Sequence, residues 1–173
     1  MSGTASCCAG WRRPPRVPMA EQVLIRHAAA GSRERWKGGD DRLRPLSKKG
    51  RRQAEGLVRS LASIPVERVL SSPYRRCVET VEPLARARGL RIEESEALAE
   101  GAGLEAVLAL LRELAGRPSA LCTHGDIMYE VCEELVRLGL VPRHEVRYEK
   151  GAAWILEERD GKLVGARHVA PPE

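Results

Sequence analysis

Three short stretches end apolar runs on residues that can handle an anion. Val23-Leu24-Ile25 leads into Arg26-His27, Val69-Leu70 leads into Ser71-Ser72-Pro73 with Arg75-Arg76 just beyond, and Ala120-Leu121-Cys122 leads into Thr123-His124-Gly125-Asp126. A guanidinium stays charged at any working pH and grips an oxyanion with a fork of donors, whereas an imidazole titrates near neutrality and can attack, donate or accept. Two histidines and at least two arginines in one place would match the charge of a tetrahedral dianion such as phosphate. They can meet only if the three stretches are neighbouring strands whose C-terminal ends lie along one edge, the edge at which open α/β sheets bind ligands.

The surrounding sequence supplies such strands. Val23, Leu24 and Ile25 form an uninterrupted branched run, the pattern of a strand buried on both faces. Ser47 opens a helix whose Ala54, Leu57, Val58, Leu61 and Ala62 recur at three and four, and Pro65 closes it. A strand over 67–71 precedes a helix from Tyr74 to about Arg88, with Pro73 before it and Gly89 at its end. That helix turns its N-terminus, which favours anions, toward the suspected site. A short strand over 90–93, a helix over 104–114, a strand over 120–122 and a helix over 127–138 follow. The chain closes with three stretches that alternate like antiparallel strands, 146–148, 152–156 and 162–168, the last two joined through Asp160-Gly161, a hairpin signal. The expected fold is a three-layer α/β sandwich, a mostly parallel sheet with helices on both faces and a C-terminal β-hairpin.

Composition narrows the possibilities. A chain of 173 residues suits one domain, placed at 19–173, and the Gly-, Ser-, Pro- and Arg-rich residues 1–18 read as a disordered tail with Met19 as a possible start. No run is long enough to span a membrane and residues 1–18 lack the apolar centre of a secretory signal, so the expected setting is cytoplasmic. Five cysteines with no C-x-x-C pair, and no histidine pair at ligand spacing, point away from structural disulfides and zinc; no metal or other cofactor is expected. The net charge of +5 has a local source. Arg33, Arg35, Lys37, Arg42, Arg44, Lys48, Lys49, Arg51 and Arg52 face only Glu34, Asp40 and Asp41 in the long loop and helix after the first strand. A partly solvated basic face explains many of these charges, and attraction of a phosphorylated ligand is the functional reading. Nucleic acid is disfavoured, because neither a zinc finger nor an aromatic-studded RNA-binding strand is present.

Leu-Ile-Arg-His-Ala (24–28), Leu-Ser-Lys-Lys-Gly-Arg-Arg-Gln-Ala (46–54), Ser-Ser-Pro-Tyr-Arg-Arg-Cys-Val-Glu-Thr (71–80) and Thr-His-Gly-Asp (123–126) occur in the order and spacing of the histidine phosphatase superfamily, also called phosphoglycerate mutase-like, which the chain resembles from about Met19 to Pro171. Compact length, Ala28 and Asp126 resemble the short phosphohistidine phosphatases. The run 26–46 is still more similar to the phosphatase-like domain found behind some Nudix hydrolases, although no Nudix box occurs here.

The resemblance implies a phosphatase that hydrolyses a phosphomonoester or phosphohistidine through a phosphohistidine intermediate. It makes His27 the nucleophile, Arg26 and Arg76 the phosphate ligands, and His124 the group that stabilises charge on the transferring phosphoryl oxygens. Arg75 is then an ordinary surface residue. Glu100 best fits the leaving-group acid, with Glu96 and Asp126 as competitors and Asp126 also a possible substrate contact. Arg33 and the loop to Arg44 are the expected source of specificity toward a phosphorylated small molecule, nucleotide or phosphoprotein. Mutase-type phosphoryl transfer and a non-catalytic phosphate- or nucleotide-binding module are the alternatives.

Overall fold

In the computed structural model, residues 20–173 are described, so the tail and Met19 lie outside the described residues. The elements are β1 (Ala20–Arg26), α1 (Lys48–Ser60), β2 (Arg68–Ser71), α2 (Arg75–Arg88), β3 (Ile92–Glu94), α3 (Leu104–Glu113), β4 (Ser119–Thr123), α4 (Gly125–Arg137), β5 (Ala153–Arg159) and β6 (Lys162–Val169). One six-stranded sheet has the order β3-β2-β4-β1-β5-β6. β1 to β4 run parallel, while β5 pairs antiparallel with both β1 and β6. The expected three-layer α/β sandwich is therefore present. No helix among the described residues is long and apolar enough to cross a membrane.

Alternation along β1 divides the core. Val23 and Ile25 pack with Leu57, Leu61, Val81 and Leu84 of the α1–α2 layer, whereas Leu24 joins Val107, Leu111, Ile127 and Val131 of the α3–α4 layer. Every one of these side chains is fully buried or nearly so. Burial of a large aliphatic side chain contributes about 1.5–3 kcal/mol, so two such layers hold the sheet between the helices. β2, β4 and β1 are thereby adjacent, and their C-terminal ends fall at one edge.

One expectation fails. The stretch 146–148 is a loop that follows a 3₁₀ turn at Arg143–Glu145, because its carbonyls serve side chains instead of a ladder. Arg147 O accepts from Trp154 Nε1 at 2.7 Å and Tyr148 O accepts from Arg26 at 2.5 Å. The hairpin itself forms through Asp160 and Gly161, at φ 52° and 74°, the left-handed pair required by a two-residue turn.

The long loop after β1 is pinned at its base. Ala30 bridges Leu46, and Ser47 both caps α1 by accepting from Gly50 N at 3.1 Å and donates to Ala29 O at 2.9 Å. A Cβ on Gly50 would lie 1.9 Å from Ala29 O, so only glycine lets the loop seat on the first turn of α1.

Candidate active site

β1, β2 and β4 deliver the three stretches to one place. His27 follows β1 directly and donates its backbone N–H to Thr123 O at the end of β4, 2.9 Å away. Its ring is buried, and Nδ1 lies 2.8 Å from Ala28 O. A carbonyl only accepts, so Nδ1 carries the proton and Nε2 keeps its lone pair. The carbonyl is itself held from α2: Ala28 N donates to Thr80 Oγ1 at 3.0 Å, and the Thr80 hydroxyl donates to Arg76 O at 2.6 Å. Burial pushes the His27 pKa down to about 3; the neighbouring His124, Arg76 and Arg26 add to this and the bond to Ala28 opposes it. At neutral pH the ring is an unprotonated base.

His124 caps α4, its ring centroid 5.4 Å from that of His27 at 65°. Arg76 lies 3.4 Å from Nδ1, and Ser72 Oγ lies 2.8 Å from Nε2. A guanidinium only donates, so Nδ1 accepts and Nε2–H points at Ser72. The hydroxyl can instead donate to Nε2, freeing Nδ1 to carry a proton toward a bound anion.

Arg76 is 1% exposed, lies under the Tyr74 ring and meets two carboxylates, Asp41 Oδ2 at 3.1 Å and Glu100 Oε2 at 3.1 Å. Arg33 binds Glu100 through both oxygens at 2.8 and 2.9 Å and also reaches Asp41. Arg44, buried, holds Asp41 at 2.7 Å, and these bonds draw the Asp41 pKa down to about 2, that from Arg44 foremost. Opposite stands Arg26. Its guanidinium rests on Gly125, where a Cβ would lie 2.5 Å away, and its Nε has no partner although buried. Burial lowers its pKa, against the attraction of Tyr148, Asp126 and Glu149.

Glu100 thus lies against Arg76 at the pocket. Glu96 pairs with Arg42 at 2.9 Å and is largely exposed. Asp126 Oδ2 accepts from Gly101 N at 2.7 Å, which ties the segment carrying Glu100 to the start of α4. Arg75 is an exposed partner of Glu79 four residues on. Three groups escaped the sequence reading. Ser72 stood within a quoted motif but without a role. Asp41 was counted merely as an acid in a basic loop. Lys150, whose pKa is lowered by burial and by the charges of Arg26, Arg44 and Arg76, is brought to the pocket by the loop before β5.

A doubly wound sheet whose strand ends gather two buried histidines, the buried Arg76 and the half-buried Arg26 defines a site whose charge suits a phosphate-like dianion. Residues 22–103 match the family model described as histidine phosphatase superfamily (branch 1), and the chain belongs to that superfamily. It is 37% identical over 156 residues to the 8-oxo-(d)GTP phosphatase of Mycolicibacterium smegmatis, an alignment covering 87% of this chain and 48% of that protein. The chain therefore spans about half the length of this relative. Among solved structures, SixA from Agrobacterium tumefaciens superimposes with a TM-score of 0.73 at 23% identity over 88% of this chain and 99% of that one. The protein histidine phosphatase SixA complexed with tungstate gives 0.68 at 23% identity, over 87% and 97%. A mycobacterial glucosyl-3-phosphoglycerate phosphatase gives 0.64 at 18% identity, over 87% and 97%. These structural likenesses establish the fold.

Proposed function

We propose that the chain is a cytoplasmic phosphatase that transfers a phosphoryl group to His27 Nε2 and then to water. The observation carrying this reading is the bond from His27 Nδ1–H to Ala28 O, which leaves Nε2 unprotonated. The Nε2 lone pair attacks phosphorus while the bond from phosphorus to the leaving group breaks. Arg26 and Arg76 hold the equatorial oxygens, and a proton on His124 Nδ1 stabilises the charge they gain. Glu100, protonated, gives its proton to the leaving group; as carboxylate it then takes one from the water that attacks the phosphohistidine. The dianion displaces Glu100 from Arg76, so Glu100 is released toward the leaving group only when substrate is in place. Arg33 keeps hold of the Glu100 segment from outside, and Asp126 holds it from α4.

A phosphorylated small molecule, a nucleotide or a phosphoprotein all present the required dianion. Names of the relatives support nucleotide, phosphohistidine and sugar-phosphate substrates as the panel to screen. p-Nitrophenyl phosphate turnover tests the chemistry. His27→Ala should lower kcat by about 10⁴-fold or more, and acid quenching of the wild type should trap acid-labile phosphate on His27. Undiminished turnover by the variant sinks the mechanism.

A further inference from the structure

The sequence contains three tyrosines, three tryptophans and no phenylalanine. Among the described residues, three of these aromatic rings are already occupied. Tyr74 meets His124 edge-on at 4.5 Å and lies under the Arg76 and Arg42 guanidinium groups. Trp36 folds over Gly38 and donates Nε1–H to Asp40 O. Trp154 is buried in β5 against His168. The other two, Tyr148 and Tyr129, meet chiefly one another, edge to face at 5.8 Å and 75°, and both are exposed, 39% and 48%.

This pair stands beside the phosphate pocket. The Tyr148 carbonyl accepts from Arg26, which places the residue at the guanidinium. Tyr129 lies on α4 five residues beyond His124, a rise of about 7.5 Å along the axis. Lys150, two residues after Tyr148, adds a cation on the same loop. Among the carboxylates nearby, Glu133 is engaged with Arg143, Glu134 with Arg137 and Asp126 with Gly101 N, while Glu149 stands 3.7 Å from His168 and Glu130 lines the groove beside Tyr129. An apolar, flat surface exposed at the mouth of an otherwise polar site serves a substrate whose leaving group carries a planar ring.

We infer that Tyr129 and Tyr148 form a stacking platform for the base of a nucleotide whose terminal phosphate lies on His27, which makes the substrate class nucleoside phosphates. This rests on the phosphatase reading above. The ring of the base lies against Tyr148, the sugar bridges the gap to the pocket, and Lys150 faces the intervening oxygens.

The test compares guanosine 5′-monophosphate and 5′-diphosphate with glycerol 3-phosphate, which has the dianion but no ring. In the double variant Tyr129→Ala/Tyr148→Ala, the ratio of kcat/KM for nucleotide over glycerol phosphate should fall about ten-fold or more, through KM. Tyr129→Phe/Tyr148→Phe keeps the rings and should restore the ratio. Calorimetric titration of guanosine 5′-diphosphate into His27→Ala protein reads binding without turnover, and there the two alanines should weaken Kd by a similar factor. An unchanged ratio together with an unchanged Kd overturns the platform while leaving the phosphatase intact. Loss of all turnover in the wild type, with the tyrosine-dependent Kd retained, overturns the phosphatase reading and leaves the platform standing.

Discussion

The two halves of the pocket solve the problem of buried charge in opposite ways. On the side built by α2 and the long loop, four arginines have acids: Arg76 has Asp41 and Glu100, Arg33 has both as well, Arg44 has Asp41 and Arg42 has Glu96. On the side built by β1 and the loop before β5, His27, Arg26 and Lys150 have no carboxylate within ion-pair distance among the described residues, although a buried Nε without a partner is common to Arg26 and Arg76. The pKa directions divide along the same line. Arg33 and Asp41 are pushed toward their charged forms, while His27, Arg26 and Lys150 are pushed toward their neutral ones, each mainly by burial. A substrate dianion supplies the counter-charge that the second half lacks and must compete for it in the first. Affinity therefore comes from the uncompensated half, and orientation from the compensated one.

Of the tests that bear on this division, the largest effect is expected at Arg76 of the compensated half. Arg76→Ala should lower kcat/KM by about 10²- to 10³-fold, because the transition-state charge loses a preformed donor pair. Its fold should survive, since Asp41 keeps Arg44 and Glu100 keeps Arg33. Steady-state kinetics with circular dichroism as a control would show this, and a loss confined to KM would mean that Arg76 contributes only ground-state binding.

Next in size is a consequence of leaving His27 uncompensated. Its folded pKa, about 3, lies below the ordinary 6.5, so between those values the unfolded chain binds a proton that the folded one does not. Stability is then full above pH 6.5 and declines as pH falls toward 3. From pH 7 to pH 4.5 this single group should cost about 2 kcal/mol. Urea unfolding at the two pH values should show the wild type losing about that much more than His27→Asn. Parallel losses would place the acid sensitivity elsewhere.

How much of this was legible in sequence depends on whether a residue's partner lies nearby in the chain. β1, the Ser47 cap, the Gly89 stop and the Asp160-Gly161 turn follow from local chemistry, and all form as expected. Arg26, His27, Arg76 and His124 were visible because each sits at a fixed distance from a strand end. Glu100 and Arg33 were named, but that they bind each other across 67 residues was not readable. Asp41 illustrates the limit. Counting placed it in an acid-poor basic loop, whereas folding gathers Arg33, Arg44 and Arg76 around it. The stretch 146–148 misled for the converse reason: Val-Arg-Tyr has a strand's residue types, but Trp154 and Arg26, both distant in sequence, take its carbonyls.

Gly125 sharpens the uncompensated half by a smaller step. Gly125→Ala would drive a methyl group into the Arg26 guanidinium, which can move because it is the end of a long side chain. The fold should be unaffected and KM should rise about ten-fold as Arg26 leaves the oxyanion position, a shift of about 1.4 kcal/mol. Arg26→Lys made alongside tests the cause. If displacement of the fork is responsible, the double variant should be scarcely worse than either single one, whereas additive losses would assign Gly125 a separate role.

The smallest expected effect discriminates most directly between the halves. Lys150→Ala removes one cation from the uncompensated side and should raise KM for a phosphomonoester about five-fold, with kcat within a factor of two. The triple variant Arg33→Ala/Arg35→Ala/Lys37→Ala removes three charges from the loop that composition singled out, yet only Arg33 among them touches the site, through acids that Arg44 and Arg76 also hold. Its KM should rise less than two-fold for a small substrate, since exposed pairs of this kind are worth about 0–1 kcal/mol and are screened by salt. Repeating both measurements at low and high ionic strength separates field from contact: the Lys150 effect should persist where the loop effect fades. A triple variant with the larger rise in KM at high salt would reverse the assignment, making the paired loop the binding half and the bare strand end merely the place where chemistry occurs.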